Sequence, residues 1–126
     1  MTYQHSSRNP YRSKGEEKIA RFFEKEKIRY FYEYPLAVVD DGNTKLWHPD
    51  FFLPECGLIL EYFGVNGDKS YDQRTRHKME VYKRAGIEGI FLTEESLAGD
   101  WEQGLKALIE KAMKERLVKF YSRKAG

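Results

Sequence analysis

The most restrictive stretch of this chain is residues 47–64, WHPDFFLPECGLILEYFG. Aromatic residues fill its first half and large apolar residues fill its second half, which is typical of two β-strands. The Pro-Glu-Cys-Gly segment at 54–57 has turn chemistry, because proline fixes φ and glycine adopts positive φ without strain. The sequence therefore predicts a β-hairpin whose strands span 47–53 and 58–63.

Two acidic residues interrupt this largely apolar hairpin. A turn centred between Glu55 and Cys56 places Asp50 opposite Glu61, with Cβ atoms about 5 Å apart. Their face also carries His48, Phe52, Ile59 and Phe63, and the other face carries Trp47, Phe51, Leu53, Leu58, Leu60 and Tyr62. Because both faces are mostly apolar, we expect central strands covered by helices on both sides. Carboxylates in that setting are functional-site candidates that a divalent cation would stabilise, and a solvated acidic pair is the alternative.

The order Pro49-Asp50, ten residues, then Glu61-Tyr62-Phe63 resembles the PD-(D/E)xK motif of restriction-endonuclease-like nucleases. The resemblance extends over roughly residues 13–97. It implies a single α/β domain, with a mixed central sheet flanked by helices, that hydrolyses DNA with Mg²⁺ or Mn²⁺ as cofactor. Asp50 and Glu61 match the catalytic metal ligands, and the backbone carbonyl of Tyr62 is a further implied ligand. One departure is Phe63, which stands where the motif has a lysine.

A helix predicted from Ser70 to about Ala85 carries a candidate, Lys78, to replace the missing lysine of the motif. Lys78 shares a stripe of this helix with Tyr71 and Tyr82, where a lysine is unexpected unless it meets an anion. In resembling nucleases without the strand lysine, a lysine from this helix supplies it, so Lys78 is our catalytic candidate. The alternative is a lysine that extends past Tyr82 to water.

The first predicted helix begins after Ser13 and runs to about Lys27. Ser13 and Glu16 have capping-box spacing, and Glu16 lies on the stripe of Ile19 and Phe23. The segment resembles the first helix of the same nucleases, whose glutamate points into the metal site. Glu16 is therefore a further catalytic candidate, with a capping role alone as the alternative.

The remaining elements complete an alternating pattern. We expect a first strand over 29–34 extended by 35–39, a turn formed by Asp40 and its neighbours at 41–43, and a strand at 87–92 parallel to the hairpin after a helical crossover. A last helix should run from the cap Asp100 to about Tyr121. Its predicted packing stripe is Trp101, Leu105, Leu108, Ile109, Ala112 and Leu117.

The distribution of charge is more informative than its total. The chain of 126 residues has a net charge of only +2, but segments 1–15, 70–84 and 106–126 are rich in Lys and Arg. Such segments around an acidic metal centre suit a phosphodiester backbone, and solvated helix faces are the alternative. The candidate DNA contacts are Arg8, Arg12, Lys14, Lys69, Gln73 and Arg74. We expect 1–12 to be a flexible basic arm and 13–126 a single nuclease-like domain.

Other features limit location and partners. The sequence has no apolar run long enough for a membrane span and no secretory signal pattern. The single Cys56 excludes an internal disulfide and fits a cytoplasmic protein, or one in a host-cell cytoplasm if it is phage-encoded. The functional hypothesis is a metal-dependent DNA endonuclease, with a homodimeric Holliday junction resolvase acting on branched DNA as the leading specific form. Alternatives are a catalytically inactive nuclease-like DNA-binding module and a mismatch-directed or helicase-associated nuclease.

Overall fold

The structure, a computed structural model, describes residues 10–64 and 69–125. Its helices are α1 (Lys14–Lys25), α2 (Lys69–Arg84) and α3 (Trp101–Ala125). Its strands are β1 (Phe31–Tyr32), β2 (Leu36–Asp40), β3 (Asn43–Trp47), β4 (Phe51–Leu53), β5 (Leu58–Tyr62) and β6 (Glu88–Leu92). None of the helices in the described ranges is long and apolar enough to cross a membrane.

A mixed four-stranded sheet in the order β1-β4-β5-β6 forms the centre of the domain. Strands β4 and β5 pair antiparallel across the predicted turn, where Gly57 has φ 63°. Strands β5 and β6 pair in parallel, which requires the crossover that α2 provides. The predicted fold class, a single α/β domain with a mixed sheet, is therefore confirmed.

Both faces of the sheet are covered, as the apolar character of the hairpin predicts. On one face, α1 and α3 pack with Phe51, Leu53 and Leu60 in the larger core cluster. On the other face, Val81 and Tyr82 of α2 pack with Ile59. The hairpin β2–β3 adds Val38 and Trp47 to this second cluster. The central strands are buried from both sides, so a carboxylate on them lies close to the core.

The prediction of one continuous strand over 47–53 was wrong. Trp47 ends β3 and pairs with Leu36 of β2, and β4 begins only at Phe51. A tight turn at Asp41 and Gly42, with φ 53° and 76°, folds β3 back on β2 as a separate two-stranded sheet. Trp47 therefore contacts Tyr82 on the α2 face and does not share a face with Phe51.

The predicted first strand was also too long. Strand β1 contains two residues, and β2 belongs to the other sheet. Glu33 separates them with φ 54°, a left-handed conformation that interrupts an extended strand.

The packing stripe predicted for α3 was wrong at two of its positions. Leu108 and Leu117 are 48% and 55% exposed, whereas Leu105, Ile109 and Ala112 are buried. Helix geometry accounts for both errors, since Leu108 lies about 100° around the helix from Ile109 and Leu117 lies about 140° from Ala112.

Candidate active site

The hairpin β4–β5 has the register that its turn predicts. Phe51 pairs with Leu60, so the next pair outward is Asp50 and Glu61. Glu61 is buried near the end of β5, and Asp50 is partly buried just before β4. Two carboxylates therefore meet at one end of the central strands.

Asp50 is anchored by backbone groups on two sides. Its Oδ2 accepts a hydrogen bond from the Tyr62 amide at 2.7 Å, and its own carbonyl accepts one from the Glu33 amide at 3.0 Å. Burial raises the pKa of the Asp50 carboxyl to about 7, and the negative charges of Glu16 and Glu61 act in the same direction. Without a cation, Asp50 is thus protonated in a substantial part of the molecules at neutral pH.

Pro49 has a specific effect on the backbone beside these carboxylates. The Phe63 amide donates to Leu92 of β6, so the polar groups of Tyr62 point to the opposite side, towards β4. The register places Tyr62 opposite Pro49, which has no N–H to give to the Tyr62 carbonyl. The Asp50 side chain accepts the hydrogen bond of the Tyr62 amide instead.

Glu61 accepts hydrogen bonds at both of its oxygens from residues of α2. Lys78 Nζ lies 3.2 Å from Oε1, and the Tyr82 hydroxyl donates to Oε2 at 3.0 Å. The Lys78 ammonium also lies 5.7 Å from the centroid of the Phe63 ring. The side chain of Lys78 is 38% exposed, so its ammonium is accessible to a ligand. The structure thus brings Lys78 beside Glu61 and over the ring of Phe63.

Glu16 is buried at the start of α1. Its Oε1 accepts hydrogen bonds from the Tyr32 hydroxyl at 2.6 Å and from the Arg12 amide at 3.0 Å. Ser13 Oγ accepts a hydrogen bond from the Glu16 amide, as a capping box predicts. In a full capping box the Glu16 carboxylate would accept from the Ser13 amide, but here it accepts from the Arg12 amide. The negative charge of Glu16 contributes to the raised pKa of the Asp50 carboxyl, for which burial is the main cause.

Gly15 allows Tyr62 to pack against this first turn of α1. A Cβ atom at Gly15 would overlap the Tyr62 ring. The glycine therefore permits close contact between α1 and the end of β5, which brings Glu16 towards the hairpin.

The candidate DNA contacts are only partly described. Arg8 lies outside the described residues, and the Lys69 side chain is not among those described. Arg12 has 76% of its side chain exposed and forms an ion pair with Glu33 at 2.9 Å. The other three candidates, Lys14 in α1 and Gln73 and Arg74 in α2, are exposed. Their contact with DNA remains a prediction.

The sequence predicted Lys78 at this site, but it did not assign the hydroxyls of Tyr82 and Tyr32 as partners of Glu61 and Glu16. Tyr82 lies one helical turn after Lys78, a spacing that puts both on one face, and this signal could have identified it. Tyr32 had no such signal, because its contact with Glu16 joins β1 to α1.

The sequence assigned Asp40 only to a turn, but the structure shows that this residue has ionic partners. Asp41 is a turn residue as predicted, but the neighbouring Asp40 ends β2 and is buried. Its carboxylate lies 2.9 Å from His77 and 3.1 Å from Lys45, and these two partners lower its pKa. This cluster connects the β2–β3 hairpin to α2.

The ligand set around Asp50 and Glu61 is sparse. Within residues 10–64 and the described side chains after Gln73, no three His, Cys, Asp or Glu residues converge as a metal-binding group. A cation at this position would therefore depend on two carboxylates, a backbone carbonyl and ligands from outside the protein.

Asp50→Asn is expected to stabilise the protein in the absence of divalent ions, and more at high pH than at low pH. The folded-state pKa of about 7 exceeds the ordinary value of 3.8, so the ionised carboxylate opposes folding. That penalty is absent below pH 4, grows as pH rises, and is complete above pH 7. We expect a gain of about 2 kcal/mol at pH 8, half of what the shift implies, because water reaches this partly buried group.

Urea unfolding in EDTA at pH 8 and pH 5 measures this difference. Asp41→Asn is the matched control, since asparagine tolerates the positive φ of an exposed turn residue. An equal free energy of unfolding for Asp50→Asn and the wild type at pH 8 would contradict the prediction.

Comparison with known proteins provides a structural match and no sequence match. No protein-family model matches the chain, and curated proteins gave no significant match. Among solved structures, the chain is similar to the "Homing Endonuclease I-Bth0305I Catalytic Domain", with a TM-score of 0.50 and 18% sequence identity. The match covers 81% of this chain and 92% of that domain. The two proteins therefore share a nuclease-like fold.

Proposed function

We propose that this protein is a metal-dependent DNA endonuclease that hydrolyses phosphodiester bonds. The observation that carries the proposal is the convergence of Asp50, Glu61 and Lys78 at one end of the central hairpin. There the lysine ammonium lies 3.2 Å from the Glu61 carboxylate. The fold shared with the catalytic domain of a homing endonuclease supports the same assignment.

The oxygen atoms at this end of the hairpin suit Mg²⁺ or Mn²⁺ as the cofactor. Asp50, Glu61 and the Tyr62 carbonyl would hold it, because Mg²⁺ commonly uses one or two carboxylates together with water and substrate phosphate. In the described part of the chain, Asp50 accepts a side-chain hydrogen bond at Oδ2 only, which leaves Oδ1 for a cation. When bound, a divalent cation supplies Lewis-acid catalysis, which activates water and stabilises developing negative charge.

The protein side chains have distinct roles in this proposal. Asp50 would be ionised in the cation-bound form, because a metal ligand must be deprotonated. Lys78 would stabilise negative charge on the reacting phosphate or orient the attacking water. Glu16, held by Tyr32 and the Arg12 amide, would order a second cation or a water molecule.

We also propose that the chain is a member of the PD-(D/E)xK nucleases with a relocated lysine. Pro49 and Asp50 support the first half of the motif, since Pro49 lies opposite Tyr62 and has no N–H to donate to the Tyr62 carbonyl. The ammonium of Lys78 over the Phe63 ring supports α2 as the source of the missing positive charge.

The substrate is proposed at two levels. The basic segments support DNA in general as the substrate, and exposed Lys14 and Arg74, together with the polar Gln73, lie near the starts of α1 and α2. A Holliday junction is the more specific proposal, and it requires a homodimer whose two sites are related by a two-fold axis. The alternative of an inactive DNA-binding module is favoured by one observation, the phenylalanine at position 63.

Cleavage of a supercoiled plasmid and a four-way junction, tested side by side with Mg²⁺, Mn²⁺ and EDTA, tests the proposal. We expect divalent-dependent cutting, with paired symmetric nicks on the junction. Equal nicking of ordinary duplex by a monomer in light scattering would exclude the resolvase and keep the endonuclease. Junction binding without cutting under every metal condition would instead favour the inactive module, and Phe63→Lys would then be the variant to test.

A further inference from the structure

Tyr82 is a buried polar residue for which the proposed chemistry has no role. Its side chain is 1% exposed, and its hydroxyl donates to Glu61 Oε2 at 3.0 Å. The phenol hydroxyl is the donor in this contact, because an ionised carboxylate can only accept hydrogen bonds. A neutral donor can hold a carboxylate without adding a positive charge that would repel a cation.

The ring that carries this hydroxyl has little freedom to move. Trp47 packs edge-on against it, with ring centroids 5.4 Å apart, and Ile59 and Val81 belong to the same buried cluster. The position of the hydroxyl is therefore set by the core and not by a flexible side chain.

The other partner of Glu61 is different in character. Lys78 reaches Oε1 with a partly exposed, flexible side chain, and in the proposed chemistry its ammonium turns to the substrate. If Lys78 leaves Oε1, Tyr82 still holds Oε2. Tyr82 is therefore a permanent hydrogen-bond donor to Glu61, whereas Lys78 is an exchangeable one.

We propose that Tyr82 is the positioning residue of the metal site: it fixes the Glu61 carboxylate through Oε2 so that Oε1 is presented to the cation. The inference rests on the proposed metal-dependent function. Hydrogen bonds from outer residues to ligating carboxylates commonly affect metal affinity or activity by about 10- to 100-fold.

Calorimetric titration of the wild type and Tyr82→Phe with Mn²⁺, without DNA, tests this role. We expect Kd to rise about tenfold in Tyr82→Phe, which keeps the ring and loses the hydroxyl. The matched control is Tyr30→Phe, because Tyr30 is 2% exposed and donates to Glu24 at 2.9 Å on the other side of the sheet. A general loss of a buried hydrogen bond would affect both variants, whereas positioning of Glu61 affects Tyr82→Phe alone.

Cleavage kinetics provide a second readout. Tyr82→Phe should lower kcat about tenfold at a fixed, subsaturating Mn²⁺ concentration and leave KM for DNA unchanged. Trp47→Leu keeps the hydroxyl but loosens the ring, so it should weaken Mn²⁺ binding by a smaller factor. This variant replaces Tyr82→Phe if the latter gives no cooperative thermal transition.

The outcomes separate this inference from the proposed function. Absence of both Mn²⁺ binding and divalent-dependent cleavage in the wild type would contradict the proposed metal-dependent function itself. Wild-type binding with an unchanged Kd in folded Tyr82→Phe, or with equal losses in Tyr82→Phe and Tyr30→Phe, would overturn the positioning role alone.

Discussion

Glu61→Gln is expected to lower the rate of DNA cleavage by about 10³-fold, which corresponds to about 4 kcal/mol of transition-state stabilisation. The physical reason is that the amide removes the negative charge from the most deeply buried ligand of the proposed cation. Gel-based cleavage at saturating Mn²⁺ measures the rate, and calorimetry without DNA should show no detectable Mn²⁺ binding. Asp50→Asn should behave in the same way.

The control for this experiment lies in the same hairpin. Glu55 is exposed in the turn between β4 and β5, so Glu55→Gln changes the net charge equally and leaves the carboxylate pair intact. We expect Glu55→Gln to bind Mn²⁺ and to cleave DNA as the wild type does. Undiminished Mn²⁺ binding by Glu61→Gln and Asp50→Asn would rule out the site.

Lys78→Ala is expected to reduce cleavage by about 10²- to 10³-fold, because a preorganised charge at the reacting group is removed. DNA affinity should change by less than about threefold, since one cation among many phosphate contacts is lost. Binding of Mn²⁺ should persist or tighten, because the ammonium 3.2 Å from Glu61 no longer competes with the cation. Fluorescence anisotropy, calorimetry and cleavage assays measure these three quantities separately.

Lys83→Ala is the matched control, since Lys83 is an exposed lysine of the same helix. It should retain both cleavage and Mn²⁺ binding. Full cleavage by Lys78→Ala would refute the catalytic assignment and direct attention to Lys69 or Arg74.

The central hairpin could be predicted because its information is local. The turn at 54–57 sets the register, and the register places Asp50 opposite Glu61 without reference to the rest of the chain. The break before β4 could not be predicted in this way. It arises because the Asp41-Gly42 turn pairs β3 with β2, and the aromatic residue Trp47 suits either sheet.

The candidate site followed a similar division. Residue type, spacing and resemblance were enough to propose four candidates: Asp50, Glu61, Lys78 and Glu16. The raised pKa of Asp50 and the contact between Tyr82 and Glu61 depend on burial and on the packing of α2 against β5. Burial and contacts between distant parts of the chain arise only in the folded protein, so a local sequence pattern does not reveal them.

Because β5 pairs in parallel with β6, the candidate site combines residues of a local hairpin with residues of a crossover helix. Asp50 and Glu61 belong to a short hairpin, whereas Lys78 and Tyr82 belong to the crossover helix that links β5 to β6. Hairpins close early and locally, but a crossover must wait until its distant strand has been added to the sheet. In a chain that leaves the ribosome, we therefore expect the carboxylates to meet before the lysine and the tyrosine reach them. The proposed nuclease would then acquire its cation-binding oxygens first and become able to cut DNA only when folding is complete.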